Sequence, residues 1–332
     1  MPPRPERLLG LTLVVGCAAV TAWCGGSPTS PSTPTATSPP ASAPPAPIVE
    51  TPTAEPPTNQ TPIATAPTPP PAGSAWVNVF GDTGWCGSRV MPQLATLLNN
   101  LGGDVLLAGD LAYDSGTLDE FRRCFEPDFG RFRSRIWAAP GNHDYQTPGA
   151  AGYFSYFGER AGPDRRGFYA VRIASWLVLM LNSNVPMGAN SEQFEFVRRE
   201  LDRSTARCTL AVWHHPFDSS GPNGGHAGQQ RMLWDVMYQR NVDVVVTGHD
   251  HLYERHAPQD SNQRPDPVRG IRLFVSGGGG APPYQRARQA MNSEVMISTH
   301  GVLRLKLDAA LYEWEFLNQS GNVLDRGLNI CH

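Results

Sequence analysis

The stretch Val244-Val245-Val246-Thr247-Gly248-His249-Asp250-His251 runs from β-branched residues through a glycine to two histidines one residue apart. A short β-branched apolar run bounded by a turn residue reads as a buried strand. In extended backbone, residues two apart point the same way, so His249 and His251 can present their imidazoles to one pocket at the carboxyl end of that strand. Imidazole is the commonest side-chain metal ligand. A His-x-His in isolation is more often solvated than ligating, so its meaning depends on the rest of the chain.

Four other predicted strands end in the same manner. Trp76 to Phe80 runs into Gly81-Asp82-Thr83-Gly84, and Val105 to Ala108 into Gly109-Asp110-Leu111-Ala112-Tyr113. Arg135 to Ala139 runs into Pro140-Gly141-Asn142-His143-Asp144, and Thr209 to Trp213 into His214-His215-Pro216. Helical spacing of Val90, Leu94, Leu97, Leu98 and Leu101 places a helix between the first two strands. Further helices are expected over Leu118 to Phe132, about Ser191 to Arg203 and about Gln229 to Arg240. A hairpin is expected over 168–173 and 176–181, and strands over 271–275, 301–307 and 312–316. Strand-helix alternation predicts parallel pairing, and open α/β sheets place their sites outside the carboxyl ends of strands. The five loops can therefore converge. Individually they have plainer readings: Asp82 and Asp110 as turn formers, Asn142 as a left-handed residue, Tyr113 as an edge aromatic.

Two carboxylates, an amide oxygen, a phenol and several imidazoles form a mixed oxygen and nitrogen donor set, suited to iron, manganese or zinc rather than calcium. A carboxylate shared between two cations would fit phosphoryl displacement, where paired ions roughly 3.5–4 Å apart clamp the attacking and leaving oxygens. In this order the five motifs resemble the calcineurin-like metallophosphoesterases, and Tyr113 within Gly109-Asp110-Leu111-Ala112-Tyr113 resembles the purple acid phosphatases; the resemblance covers about Trp76 to His332. It implies an α/β fold, a four-layer αββα sandwich of two mixed sheets flanked by helices. It implies Asp82, Asp110, Tyr113 and His251 on a first metal, Fe(III), and Asp110, Asn142, His214 and His249 on a second, Zn(II), Mn(II) or Fe(II). The family's histidine two residues before proline selects His214, whereas a Val-x-x-His spacing selects His215. Strand alternation predicts that these two rings face opposite ways, so that one ligates, with His214 preferred. His143 and His226 match histidines near the leaving group in the family and are candidate general acids. Arg255 reads as structural, and Gly277 to Gly280, with no Gly-Lys-Ser or Gly-Lys-Thr after it, as a place where backbone passes close to the site.

The chain's formal charge of -3 argues against nucleic acid as a specific partner. Residues 1–24 read as an export signal: Arg4 and Arg7 precede an apolar run too short to span a bilayer. Val14-Val15-Gly16-Cys17 resembles the bacterial lipobox and would lipidate Cys17, while Val20-Thr21-Ala22 offers ordinary cleavage. Residues 25–73 hold 16 of the 32 prolines and read as a disordered linker, which leaves 74–332 as the catalytic domain. Four cysteines remain there, and in an exported chain they predict two disulfides; of three connectivities, Cys86 with Cys124 and Cys208 with Cys331 is favoured. The expected function is hydrolysis of phosphate monoesters, of acid phosphatase type, by metal-held hydroxide. The alternatives are a phosphodiesterase or nucleotidase on the same centre, or a non-catalytic surface binding protein.

Overall fold

The computed structural model describes residues 73–332. The expected signal segment, and all but the last residue of the expected linker, lie outside the described residues. The strands are β1 (Ala75–Phe80), β2 (Asp104–Ala108), β3 (Ile136–Ala139), β4 (Tyr169–Ile173), β5 (Trp176–Met180), β6 (Thr209–Val212), β7 (Val244–Thr247), β8 (Tyr253–His256), β9 (Arg272–Ser276), β10 (Ser293–Ile297), β11 (Gly301–Leu307), β12 (Leu311–Asn318) and β13 (Val323–Ile330). They form two mixed sheets, a six-stranded one in the order β13-β12-β11-β1-β2-β3 and a seven-stranded one in the order β10-β8-β9-β7-β6-β5-β4.

The sheets pack face to face over a buried layer that includes Val77, Val79 and Leu106 from the first and Val178, Leu210, Val244 and Val246 from the second. Both outer faces are apolar as well, which is why the central strands read as continuous hydrophobic runs rather than alternating ones. The helix Met91–Leu101 and the helical segment from Leu118 cover the first sheet through Leu94, Leu98, Phe121 and Phe125. The helices Glu192–Arg203 and Ala227–Gln239 cover the second through Val197, Leu233 and Trp234. Each large aliphatic side chain so buried contributes roughly 1.5–3 kcal/mol. The result is the αββα sandwich. Cys86 is joined to Cys124 and Cys208 to Cys331; the second pair ties the C-terminus to β6.

Register explains how the site assembles. β1, β2 and β3 are parallel neighbours, with Phe80 opposite Leu107 and Ala108 opposite Ala139, so their carboxyl ends stand level. β6 and β7 are likewise parallel, with Val212 opposite Val246. Gly81 donates its N–H to the Ser276 carbonyl at 2.8 Å, which links the two sheets at this edge.

The structure departs from the sequence expectations in three places. The segment expected as one helix over Leu118 to Phe132 is composite: an α-turn at Leu118–Glu120, a π-turn at Phe121–Phe125, an α-turn at Glu126–Phe129 and a 3₁₀ segment at Gly130–Arg135. Pro127 has no N–H for the Arg123 carbonyl, and the Glu126 N–H reaches back five residues to the Phe121 carbonyl instead. Strands β8, β10 and β13 and the helix Ala151–Phe157 carry no clear period in the sequence; β13 has alternate residues exposed, including Leu328 and Ile330. The third departure concerns His214 and His215 and belongs to the site.

Candidate metal centre

Asp82, Asp110 and His249 all stand in the left-handed region of backbone space, with φ of 61°, 54° and 71°. That conformation is unfavourable for residues other than glycine and is tolerated best by Asp and Asn. Three such residues at three strand ends point to a functional constraint. Asn142, for which a left-handed role was the plainer expectation, is not among them. The chain can turn this sharply because neighbouring glycines admit close contact. A Cβ on Gly141 would lie 2.1 Å from Asp110 Oδ1, and one on Gly277 would lie 2.7 Å from Asp82 Oδ2. Gly277 thus does what was expected of the four-glycine run.

The side chains converge as follows. Tyr113 Oη lies 3.1 Å from Asp82 Oδ1, 3.2 Å from Asp110 Oδ2 and 3.3 Å from His251 Nε2. His214 Nε2 lies 3.2 Å from Asp110 Oδ2, 3.0 Å from Asn142 Oδ1 and 3.2 Å from His249 Nδ1. Asp110 Oδ2 is therefore shared between a Tyr113 side and a His214 side. The structure brings all seven residues expected as ligands into one cluster, in which Asn142 and His249 are partly buried and the other five buried.

The chemistry of this donor set tests whether it suits cations. His214 Nδ1 faces the Ala108 carbonyl at 2.8 Å and His251 Nδ1 faces the Pro282 carbonyl at 3.0 Å. A carbonyl only accepts, so in both neutral rings the proton sits on Nδ1 and the Nε2 lone pair points at carboxylate oxygens. Lone pairs facing lone pairs in a buried site are favourable only with a positive charge between them. Without a metal, protons must serve. Burial opposes a charged His214, yet Asp110 outweighs it and holds the ring up to about 9. Burial likewise opposes ionisation of Asp110, and His214 outweighs that, so its carboxyl lies far below the usual range. Burial and the carboxylates of Asp82 and Asp110 push the Tyr113 phenol well above its ordinary value; a bound cation would reverse that preference. The residues fit metal cations.

The two adjacent histidines do not face opposite ways. Their rings are 5.0 Å apart, and the His215 ring is 4.5 Å from that of His249. β6 ends at Val212, so the alternation that would have separated them no longer applies. The Nδ1 of His215 lies 2.7 Å from Ser183 Oγ, which also accepts the His215 backbone N–H at 3.0 Å. His214, rather than His215, contacts Asp110. Burial and neighbouring His214 lower His215 to about 3, and burial lowers His226 and, strongly, His249.

The remaining expected residues lie close by. His143 donates from Nδ1 to the Asp114 carbonyl at 2.6 Å, leaving Nε2 4.0 Å from Asp110 Oδ2. The His226 ring is 4.9 Å from His215 and 5.6 Å from His249. Arg255 pairs with Asp325 at 2.8 Å and lies over Trp314, a structural arrangement as expected. Four further residues had not been singled out from the sequence. Asp144 accepts the Gly141 N–H at 2.8 Å and the Leu111 N–H at 3.1 Å, tying the β2 and β3 loops together. Burial and the nearby Asp110 raise its carboxyl to about 7. Asp250 accepts the Asn223 N–H at 3.1 Å, Tyr284 stacks on His251 at 4.0 Å, and Ser183 holds His215. The two aspartates were visible within Asn142-His143-Asp144 and His249-Asp250-His251; Tyr284 and Ser183 had no sequence signal.

The sequence profile described as calcineurin-like phosphoesterase matches residues 75–253, more than half of the chain's 332 residues. The chain belongs to the calcineurin-like phosphoesterase family. Purple acid phosphatase 18 of Arabidopsis thaliana is 26% identical to this calcineurin-like phosphoesterase over 233 residues, 65% of this chain and 52% of that one. Fe(3+)-Zn(2+) purple acid phosphatase 12 of the same plant is 26% identical over 265 residues, 67% of this chain and 55% of the other. Among solved structures, the purple acid phosphatase PPD1 of yellow lupin (Lupinus luteus) seeds superposes with a TM-score of 0.68 at 21% identity, covering 79% of this chain and 55% of that one. The fold is thus shared with a purple acid phosphatase, and the chain spans about half the length of these relatives.

Proposed function

We propose that this calcineurin-like phosphoesterase hydrolyses phosphate monoesters at a dinuclear metal centre in the domain from about residue 74 to 332. The observation that carries the reading is Asp110 Oδ2, 3.2 Å from both Tyr113 Oη and His214 Nε2, where a carboxylate could serve two ions. Asp82, Tyr113 and His251 would complete one metal's shell, with Fe(III) suited to the phenolate; Asn142, His214 and His249 would complete the other, for Zn(II), Mn(II) or Fe(II). When bound, the two ions supply ionised water near neutral pH and neutralise charge on the phosphoryl oxygens. The chain's own residues do the rest. The carbonyls of Ala108 and Pro282 fix the tautomers of His214 and His251, so their lone pairs are aimed before any ligand arrives. His143 is anchored through Nδ1, so its Nε2 is the atom left for the departing alcohol, to which the ring would give a proton when it is an imidazolium. His226, beside His215 and His249, is the second candidate acid.

Two disulfides fit an oxidising compartment, and export through residues 1–24, with or without lipid on Cys17, belongs to this proposal. No helix among the described residues is long and apolar enough to cross a membrane.

The test is metal analysis of the purified chain together with turnover of a monoester and a diester. Two metals per chain and a preference for the monoester are expected; a preference for the diester replaces the substrate assignment, and two metals without turnover of either refute catalysis. Tyr113→Phe is expected to abolish the visible absorption of an iron-loaded sample, and a band that survives would refute ferric ligation by the phenolate. His249→Ala and His251→Ala are expected to deplete different metals, the exchangeable and the ferric one respectively. Equal loss of both metals in both variants would contradict that division.

A further inference from the structure

A cavity of about 600 Å³ lies beside the cluster, with His215 and His226 in its wall, their rings 4.5 and 5.6 Å from that of His249. Its other walls come from Val185, Pro186 and Met187, after β5, and from Gln229 and Gln230 on the helix Ala227–Gln239. Among the described residues, no lysine, arginine, aspartate or glutamate lines it. This is unusual beside a site meant for an anion, and it separates the place of the phosphate from the place of whatever the phosphate is attached to. Gln230 is buried and gives its amide N–H to the His215 carbonyl at 2.8 Å, which fixes the wall at His215. The neighbouring cavity, which shares Val185 and Pro186, holds the basic residues Arg165 and Arg166. Arg166 is already paired there with Glu192 at 2.6 Å and Asp164 at 3.3 Å.

We infer that the cavity beside His215 and His226 receives the alcohol portion of the ester and selects a neutral, hydroxyl-bearing group such as a sugar over one carrying a second anion. The inference rests on the hydrolase reading above. A fixed anion there would lose its hydration without meeting a counter-charge, whereas hydroxyls find the exposed amide of Gln229 and a partly apolar wall. His226 would then stand where the ester oxygen leaves the phosphate.

The test compares kcat/KM for glucose 6-phosphate, 6-phosphogluconate and methyl phosphate on the metal-loaded full chain. Glucose 6-phosphate is expected to exceed 6-phosphogluconate, of similar size but with a carboxylate, by about tenfold or more. Gln229→Arg, at an exposed position, is expected to reverse or abolish that preference. Met187→Trp, which would fill the cavity, is expected to lower the ratio of glucose 6-phosphate to methyl phosphate by about tenfold; metal content and thermal melting establish that each variant is folded. Should Met187→Trp fail to fold, the exposed Gln229→Arg still decides. Equal turnover of the neutral and anionic sugars, unmoved by Gln229→Arg, would overturn the cavity assignment alone. Absence of turnover of all three esters by the unaltered chain would overturn the hydrolase reading and this inference with it.

Discussion

Asp110→Asn is expected to lower kcat for phosphate monoesters by about 10³-fold, equivalent to roughly 4 kcal/mol of transition-state stabilisation, and to reduce bound metal below two per chain. Asp110 Oδ2 is the atom that Tyr113 and His214 share. An asparagine keeps an oxygen able to accept the His143 N–H, as Asp110 Oδ1 does at 2.7 Å, but presents a neutral NH₂ where the shared anionic oxygen stood. Asparagine tolerates the left-handed backbone at this position, where φ is 54°, and its volume matches, so the fold should persist. The checks are kcat, metal stoichiometry and melting temperature on one preparation. A variant that keeps two metals and turns over within tenfold of the unaltered chain would refute a bridging carboxylate.

Gly141→Ala is the second large effect, and it acts without replacing any of the expected ligands. The added Cβ would lie 2.1 Å from Asp110 Oδ1 and 2.2 Å from Asp110 N. The second contact is with backbone, so no rotation of a side chain relieves it. Asp144 staples Gly141 to Leu111 by two buried hydrogen bonds, which resist separation of the β2 and β3 loops. Either Asp110 is displaced or the staple opens. Displacing a catalytic group by about 1 Å costs on the order of 10²-fold in rate, and overpacking of this kind costs about 1–3 kcal/mol of stability. Steady-state kinetics and denaturant unfolding of the variant measure the two. Unchanged kinetics with unchanged stability would show that the close approach of these loops does not position Asp110.

The strand-end motifs were legible because each couples a local signal, an apolar run broken by glycine or, after β6, by His214-His215-Pro216, with a residue type suited to ligation. β1, β2, β3, β6 and β7 could be read in this way, together with the helices whose apolar faces recur at helical spacing. β8, β10 and β13 could not, because edge and half-exposed strands need no continuous apolar run, and their pairing partners lie far away in sequence. The broken helical segment after Leu118 was hidden for a different reason: the apolar period persists through Pro127 while the hydrogen-bond ladder does not.

What the sequence by itself determined is the kind of donors, their order and their place at the ends of buried strands, since these follow from residue chemistry and local periodicity. Which atoms meet was decided by the tertiary structure alone. The level registers of β1 with β2 and of β6 with β7, and the packing of one sheet on the other, place Asp110 Oδ2 between Tyr113 and His214. The same packing carries His215 into the cluster beside Ser183, where strand alternation had predicted it would turn away. Local rules hold only while the strand continues, and beyond Val212 the direction of a side chain is set by what the fold brings against it.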